Sequence, residues 1–238
     1  MATFPLFQTS YLRQADHPRD QQRLDAWYQA IAAHDYFVHD VAESGTFNPW
    51  VDIYQNHTIP AGVSPQAQQA IASFIQGIGD SLSCEATHLR EEFTVLASVL
   101  PNEGTTLLLV DSGLLSTPSV TQRNVALLIE QITLLYEHWH PYFGVLSSEG
   151  PAPAQIERSA VLAGTIPGLF EITLFGPELV NALGPARVLS APAWRVQAFA
   201  DGGVLIIPGP YLDNNPAYPY QATREAVARH LGLQFIGL

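Results

Sequence analysis

The clearest pattern of hydrophobic and polar positions lies near the C-terminus, where two short β-prone runs flank an Asp-Gly turn. The first run, AWRVQAF at 193–199, alternates two sets of side chains, and the second, VLII at 204–207, is apolar throughout. This pattern predicts a β-hairpin, because glycine reaches the positive φ that a tight turn needs. The alternation predicts one buried and one solvated face for the first arm. The second arm must be covered on both sides, which predicts a sheet with helices packed on it.

Apolar positions at helical spacing predict several helices, the longest over 119–139, where Ser119 and Gln122 fit a capping box. The other predicted helices begin at Asp16 or His17, after Ser64, near residue 155, at residue 177 with Gly184 as the end, and near residue 216 with Gly232 as the end.

Short β-prone runs lie between these helices and predict strands at 3–6, 36–39, 50–54, 142–146 and 170–175. Two further apolar runs, at 93–100 and 106–110, flank Pro-Asn-Glu-Gly and predict a second hairpin in the middle of the sheet. The predicted fold class is α+β, with a mostly antiparallel sheet covered by four or five helices. We expect a single domain over 1–238, and the segment EGPAP makes 149–153 the candidate site for a division into two lobes.

The charge of the chain is strongly acidic, with ten arginines, no lysine and 22 acidic residues among 238, a net charge of −12. Phosphate contacts need Arg and Lys, so this balance argues against nucleic-acid binding and favours a basic partner. The alternative is that the acidic surface serves only solubility.

Cys84 is the single cysteine and no N-terminal signal or membrane-length apolar run is present, so we expect a cytoplasmic protein without a membrane segment.

No active-site motif occurs in the sequence, so the candidates for chemistry are two residue pairs. His138 and His140 are the only dense histidine pair, but two residues apart on a helix their rings point in different directions, and Pro141 marks a helix end. Cys84 and His88 would meet on one face of a helix, although the acidic residues around them disfavour a thiolate. We therefore expect no catalytic residue, no bound metal and no cofactor.

A tract from residue 35 to residue 54 combines aromatic and acidic side chains and contains no positively charged arginine or lysine. Aromatic side chains supply desolvated anchors and carboxylates supply complementary charge, as in a face that binds a basic protein. The alternative is that the aromatic residues belong to the core and the acids to loops. The predicted partner-binding residues are Asp35, Tyr36, Asp40, Glu43, Trp50 and Asp52.

Six short segments in the C-terminal half share the order of a known family: WHPYFG at 139–144, LFGPEL at 174–179, LG at 183–184, RVL at 187–189, APAWRV at 191–196 and DGGVLI at 201–206. This part of the chain resembles immunity proteins of bacterial polymorphic-toxin and type VI secretion systems, in particular the Immunity protein 52 family. The first 90 residues carry no motif of that family.

The resemblance implies an α+β protein that binds and neutralises a cognate toxin made by the same cell. The acidic charge fits a basic toxin, because opposite fields speed encounter and help to fix orientation. The function predicted from the sequence is therefore a non-catalytic immunity protein. The alternatives are a metal-dependent or other hydrolase that uses His138 and His140, and a structural assembly protein. The sequence leaves the oligomeric state open.

Overall fold

The structure is a computed structural model that describes residues 6–12, 19–34, 36–43, 65–78, 82–88, 93–100, 104–109, 118–147, 156–209 and 220–236. Within these residues the strands are β1 Leu6–Tyr11, β2 Tyr36–Glu43, β3 Leu82–His88, β4 Thr94–Leu100, β5 Gly104–Leu109, β6 Phe143–Ser147, β7 Thr173–Phe175, β8 Arg195–Ala198 and β9 Val204–Ile207. The helices are α1 Gln21–Ala33, α2 Pro65–Ile75, α3 Pro118–Trp139, α4 Arg158–Leu162, α5 Pro177–Leu183, α6 Pro185–Leu189 and α7 Tyr220–Leu231.

The strands form one sheet in the order β2-β3-β4-β5-β1-β6-β7-β9-β8. Every neighbouring pair in that order is antiparallel. Consecutive strands β4 and β5 pair inside the sheet, and β8 pairs with β9 at one end, as the two hairpin patterns predicted. The α+β class with a mostly antiparallel sheet is therefore confirmed.

Helices cover both faces of the sheet. On β9, Leu205 contacts a core cluster that includes buried residues of α1, α2 and α3. The alternate residue Ile206 contacts a second cluster with buried residues of α4, α5, α6 and α7. All four residues of β9 are buried because successive side chains of a strand point to opposite faces. The prediction that this apolar arm is covered on both sides is confirmed, and the fold has three layers.

The long helix α3 owes its place to apolar residues that recur every three or four positions. Leu128, Ile132, Leu135 and Trp139 are all fully buried, so they form one continuous stripe against the sheet layer. Trp139 meets Trp27 of α1 edge to face, with ring centroids 5.5 Å apart. The two indoles join α1 and α3 within one layer of helices.

Strand β8 differs from the prediction of one buried and one solvated face. It is the last strand of the described sheet, and its residues are exposed at both ends and half-buried in the middle. Trp194, just before the strand, is 50% exposed. The prediction was wrong because an edge strand is covered incompletely on both faces, whatever its alternation.

Two predicted helix starts were also wrong. Helix α1 begins at Gln21 and not at Asp16 or His17, because the Asp20 side chain accepts a hydrogen bond from the Arg23 N–H at 3.2 Å and caps the helix. Helix α3 begins at Pro118, so Ser119 lies inside its first turn and is not the cap. The predicted ends are confirmed: Gly184 and Gly232 follow α5 and α7, with φ of 93° and 74°.

Cys84 and His88 lie on strand β3 and not on a helix. Residues four apart on a strand are separated by about 13 Å, so the two cannot form a thiol–imidazole pair. The predicted strand at 50–54, the cap at Ser64, the start near 216 and the division near 149–153 lie outside the described residues. In the described part of the chain, no helix has both the length and the apolar character needed to cross a membrane.

Candidate functional site

The turn of the β8–β9 hairpin meets the C-terminal end of α3 and forms a compact polar cluster. The Gly202 N–H donates to the Phe199 carbonyl at 3.0 Å, and the Phe199 N–H donates to the Gly203 carbonyl at 2.8 Å. Gly202 has a φ of 93°, a value that glycine adopts without strain. The Asp201 Oδ1 atom accepts from the Gly203 N–H at 2.9 Å, so this carboxylate is fixed by its own turn.

Tyr136, on α3, binds the same carboxylate. Its hydroxyl lies 3.0 Å from Oδ1 and 2.9 Å from Oδ2 of Asp201 and donates to them. Its ring stacks on Phe199, with centroids 3.8 Å apart and planes 14° apart. A side chain at position 203 would overlap the Tyr136 hydroxyl and ring, so glycine is required for this approach.

His140 completes the cluster from the residue after α3. Its backbone has a φ of 44°, which is uncommon for a residue other than glycine. Its N–H still donates to the Tyr136 carbonyl at 2.8 Å, and its Nδ1 atom lies 3.1 Å from Asp201 Oδ2. The His140 side chain is 50% exposed and that of Asp201 28% exposed, so the pair is open to solvent.

Electrostatics favour an ionised Asp201 and a neutral Tyr136. Burial raises the pKa of Asp201, but hydrogen bonds from Gly203, Tyr136 and His140 outweigh burial and hold that pKa below its ordinary value. Burial raises the pKa of Tyr136, and the hydrogen bond and charge of Asp201 raise it further. An ionised carboxylate accepts hydrogen bonds only, so the Nδ1 atom of His140 must carry the proton that it shares with Asp201.

The arrangement has two chemical capacities. A carboxylate that holds the Nδ1–H of a histidine leaves the Nε2 atom of that ring as a base or hydrogen-bond acceptor, which suits proton transfer. The same contacts also hold the hairpin against α3.

His138 is not part of the cluster, and the pKa of its ring is lowered chiefly by burial. Among the described residues, no group of three or more His, Cys, Asp and Glu side chains could hold a metal ion.

The predicted partner-binding residues are only partly within the described structure. Tyr36, Asp40 and Glu43 lie on β2, the strand at the other end of the sheet, where the register with β3 shifts between His39 and Ala42. The remaining three, Asp35, Trp50 and Asp52, lie outside the described residues. Their role as a binding face stays a prediction.

No sequence pattern indicated the contact between His140 and Asp201. The two residues are 61 positions apart, and Asp201 was interpreted only as a turn residue of the hairpin. The pairing of β6, β7 and β9 in one sheet brings the hairpin back to the end of α3. Only tertiary structure reveals which acid lies next to the histidine.

Comparisons with known proteins include a distant structural likeness. The chain matches no protein-family model and no curated protein. Among solved structures, it is similar to a type VI secretion system (T6SS) protein of Pseudomonas aeruginosa, with 11% identity and a TM-score of 0.47 over 96% of this chain and 72% of that one.

Proposed function

We propose that this chain is a non-catalytic immunity protein that binds a basic bacterial toxin and blocks it. The observation that carries the proposal is the charge of −12, from 22 acidic residues against ten arginines and no lysine. A field of this sign attracts a basic protein, raises the rate of encounter and disfavours acidic competitors. The resemblance of the C-terminal half to toxin-immunity proteins supports the same class of partner.

The tract at 35–54 is the surface that we propose for the toxin. It contains four acidic and five aromatic residues and no arginine. Its first part forms β2, at an end of the sheet, where a partner can approach without displacing a neighbouring described strand. A protein of 238 residues can offer an interface of standard size, about 1,600 Å² in total, and such an interface would block the toxin stoichiometrically.

Co-expression with the toxin encoded beside this chain tests the proposal. We expect cells that make the toxin to survive only when they also make this chain. We expect the two proteins to co-elute at low salt. Added salt should slow association more than it speeds dissociation, because steering by opposite charges is screened. If the toxin still kills and the proteins elute separately, the proposed function is wrong.

A matched pair of double variants tests the proposed surface. Asp40→Asn with Glu43→Gln removes two charges from β2, and Glu130→Gln with Glu137→Gln removes two charges from α3. Both double variants change the net charge equally, so a difference between them reports the location of the charges. We expect the β2 variant to associate more slowly with the toxin than the α3 variant, because its charges lie in the proposed interface. Equal association rates would show that overall charge acts and that the tract does not form the interface.

The geometry of His140 and Asp201 favours one second candidate, a hydrolase in which Asp201 orients His140 as a general base. Its test is a panel of chromogenic esters and phosphodiesters assayed with the native protein and with His140→Gln. Turnover that His140→Gln abolishes would support the enzyme. Absence of turnover, together with elemental analysis that finds no stoichiometric metal, would remove it.

A further inference from the structure

The outer edge of β8 is a surface to which the proposed function assigns no role. Among the described strands, β8 pairs only with β9, so its other side faces away from the sheet. Arg195 and Ala198 are exposed, and Trp194, just before the strand, is 50% exposed. A sheet edge of this kind offers unpaired backbone groups to an incoming strand.

The hydrogen bonds of the hairpin identify which backbone groups point outward. The Phe199 N–H donates to Gly203 across the closing pair of the turn. In an antiparallel ladder, bonded and non-bonded pairs alternate, so Gln197 and Arg195 also bond towards β9. The N–H and C=O groups of Val196 and Ala198 therefore point away from β9. The Trp194 N–H turns inward to the Pro208 carbonyl at 3.1 Å, which limits the available edge to these two residues.

The stretch of chain that contains β8 carries positive charge, in contrast to the whole chain. Between Glu178 and Asp201 the sequence contains Arg187 and Arg195 and no acidic residue. Both arginines are exposed, and so are the apolar side chains of Leu189, at 52%, and Trp194. The Arg195 guanidinium is held on its own strand by the Gln197 Oε1 atom at 2.7 Å and 3.2 Å. Arg195 on the strand and Trp194 just before it therefore offer one cationic and one aromatic side chain to an acidic extended segment.

We propose that β8 accepts an extended acidic segment of a partner protein as an added strand. Backbone hydrogen bonds to Val196 and Ala198 would supply affinity, and alternate side chains of the segment would supply specificity. On one face of the added strand an apolar side chain meets Trp194, and on the other a carboxylate meets Arg195. Such a segment is independent of the basic surface expected of the toxin.

Two alternative arrangements fit the observations less well. A second copy of β8 would bring no acidic side chain to Arg195, because residues 179–200 contain none, so it lacks the charge complementarity of an acidic segment. The opposite end of the sheet, β2, is less suited to strand addition, because its pairing with β3 is irregular between His39 and Ala42 and irregular strands resist an added neighbour.

Hydrogen exchange of the native protein is the first test. We expect the amides of Val196 and Ala198 to exchange quickly in the free protein and the amide of Gln197 to exchange slowly. Slow exchange at all three positions would show that another part of this chain already covers the edge, and the proposal would fall.

Selection of decapeptides from a random phage-displayed library on the intact protein is the second test. We expect enriched peptides to carry acidic residues at alternate positions and to bind Ala198→Pro about tenfold more weakly, the effect of one lost backbone hydrogen bond. Ala198→Val keeps the N–H group and should bind normally, whereas Arg195→Glu should bind weakly. The Arg195→Glu result keeps the test decisive if Ala198→Pro folds poorly.

Three results would overturn the proposal. These are enriched peptides without an acidic bias, peptides that bind Ala198→Pro and Arg195→Glu as tightly as the native protein, and a selection that enriches no peptide. None of them depends on the toxin. Failure of strand addition and failure of the immunity function are therefore distinguishable.

Discussion

Glu171 and Arg224 form an ion pair in the interior of the protein, with Glu171 Oε1 and Arg224 Nη2 2.9 Å apart. Their side chains are only 1% and 3% exposed. Glu171 lies in the bend before β7 and Arg224 on α7, and the guanidinium also lies 5.6 Å from the ring centroid of Phe235. The pair links α7, in the layer of α4–α7, to the bend that leads into strand β7.

The first prediction concerns the loss of one partner of this pair. Glu171→Ala leaves the Arg224 charge buried without its carboxylate, and we expect it to lower the free energy of unfolding by about 3–5 kcal/mol. Denaturant unfolding followed by circular dichroism measures this change. The double variant Glu171→Leu with Arg224→Met should recover most of the loss, because it removes both charges and keeps apolar volume.

The control for the ion pair is Arg229→Met on the same helix, at an exposed position. We expect it to change the free energy of unfolding by no more than about 0.5 kcal/mol. A cost for Glu171→Ala as small as that of Arg229→Met would show that the pair does not stabilise the packing of α7.

The second prediction concerns the close approach of Gly203 to Tyr136. A methyl group at position 203 would overlap the Tyr136 hydroxyl and lie 3.1 Å from the Phe175 carbonyl oxygen. We expect Gly203→Ala to cost about 1–3 kcal/mol, the usual range for overpacking. Thermal or denaturant unfolding measures the cost.

A double-mutant cycle separates this overlap from backbone strain. In the Tyr136→Phe background the hydroxyl is gone, so Gly203→Ala should cost less there than in the native background, by more than about 0.5 kcal/mol. Gly202→Ala is strained by its φ of 93° but has no close neighbour, so it should cost the same in both backgrounds. Additive costs for Gly203→Ala would contradict the overlap.

The third prediction concerns the pH dependence of stability. The pKa of Asp201 is lower in the folded protein than its ordinary value near 3.9, so its ionised form stabilises the fold. That contribution is present above the ordinary pKa and is lost as the pH falls through the lowered one. The difference in Tm between native protein and Asp201→Asn should be largest near neutral pH and should shrink below about pH 4.

Asp25 provides a control of opposite sign. Burial raises its pKa, so the ionised form of Asp25 is disfavoured in the folded state and Asp25→Asn should not destabilise the protein at neutral pH. A Tm difference for Asp201→Asn that stays constant from pH 7 to pH 3 would show that the carboxylate acts by shape and not by charge.

Local patterns predicted the elements well and their contacts poorly. The hairpin of β8 and β9, the long helix α3 and the glycine ends of α5 and α7 follow from turn chemistry and spacing within a few residues. The exposure of Trp194 does not follow from such local patterns, because it depends on β8 being the last described strand of the sheet. The His140–Asp201 contact does not follow from local patterns either, since sequence periodicity carries no information about contacts between residues on separate elements.

The candidate site shows the same division. Charge and aromatic content alone selected the tract at 35–54, and the structure adds that three of its residues lie on the end strand β2. The positive charge of Arg195 on β8 was masked in the sequence by the net charge of −12. Only the order of the strands shows that this local exception faces solvent at the opposite end of the sheet.

The fourth prediction concerns the start of α1, which the sequence pattern placed at Asp16 or His17 and the structure places after Asp20. Asp20 accepts from the Arg23 N–H and satisfies one of the free donors of the first turn. Asp20→Ala should therefore lower the free energy of unfolding by about 1 kcal/mol. Asp20→Ser should lower it much less, because the serine hydroxyl can accept the same hydrogen bond. Asp16→Ala removes the same charge four residues earlier and should have almost no effect. Equal losses for Asp16→Ala and Asp20→Ala in denaturant unfolding would mean that charge near the helix dipole, and not the capping hydrogen bond, stabilises this end of α1.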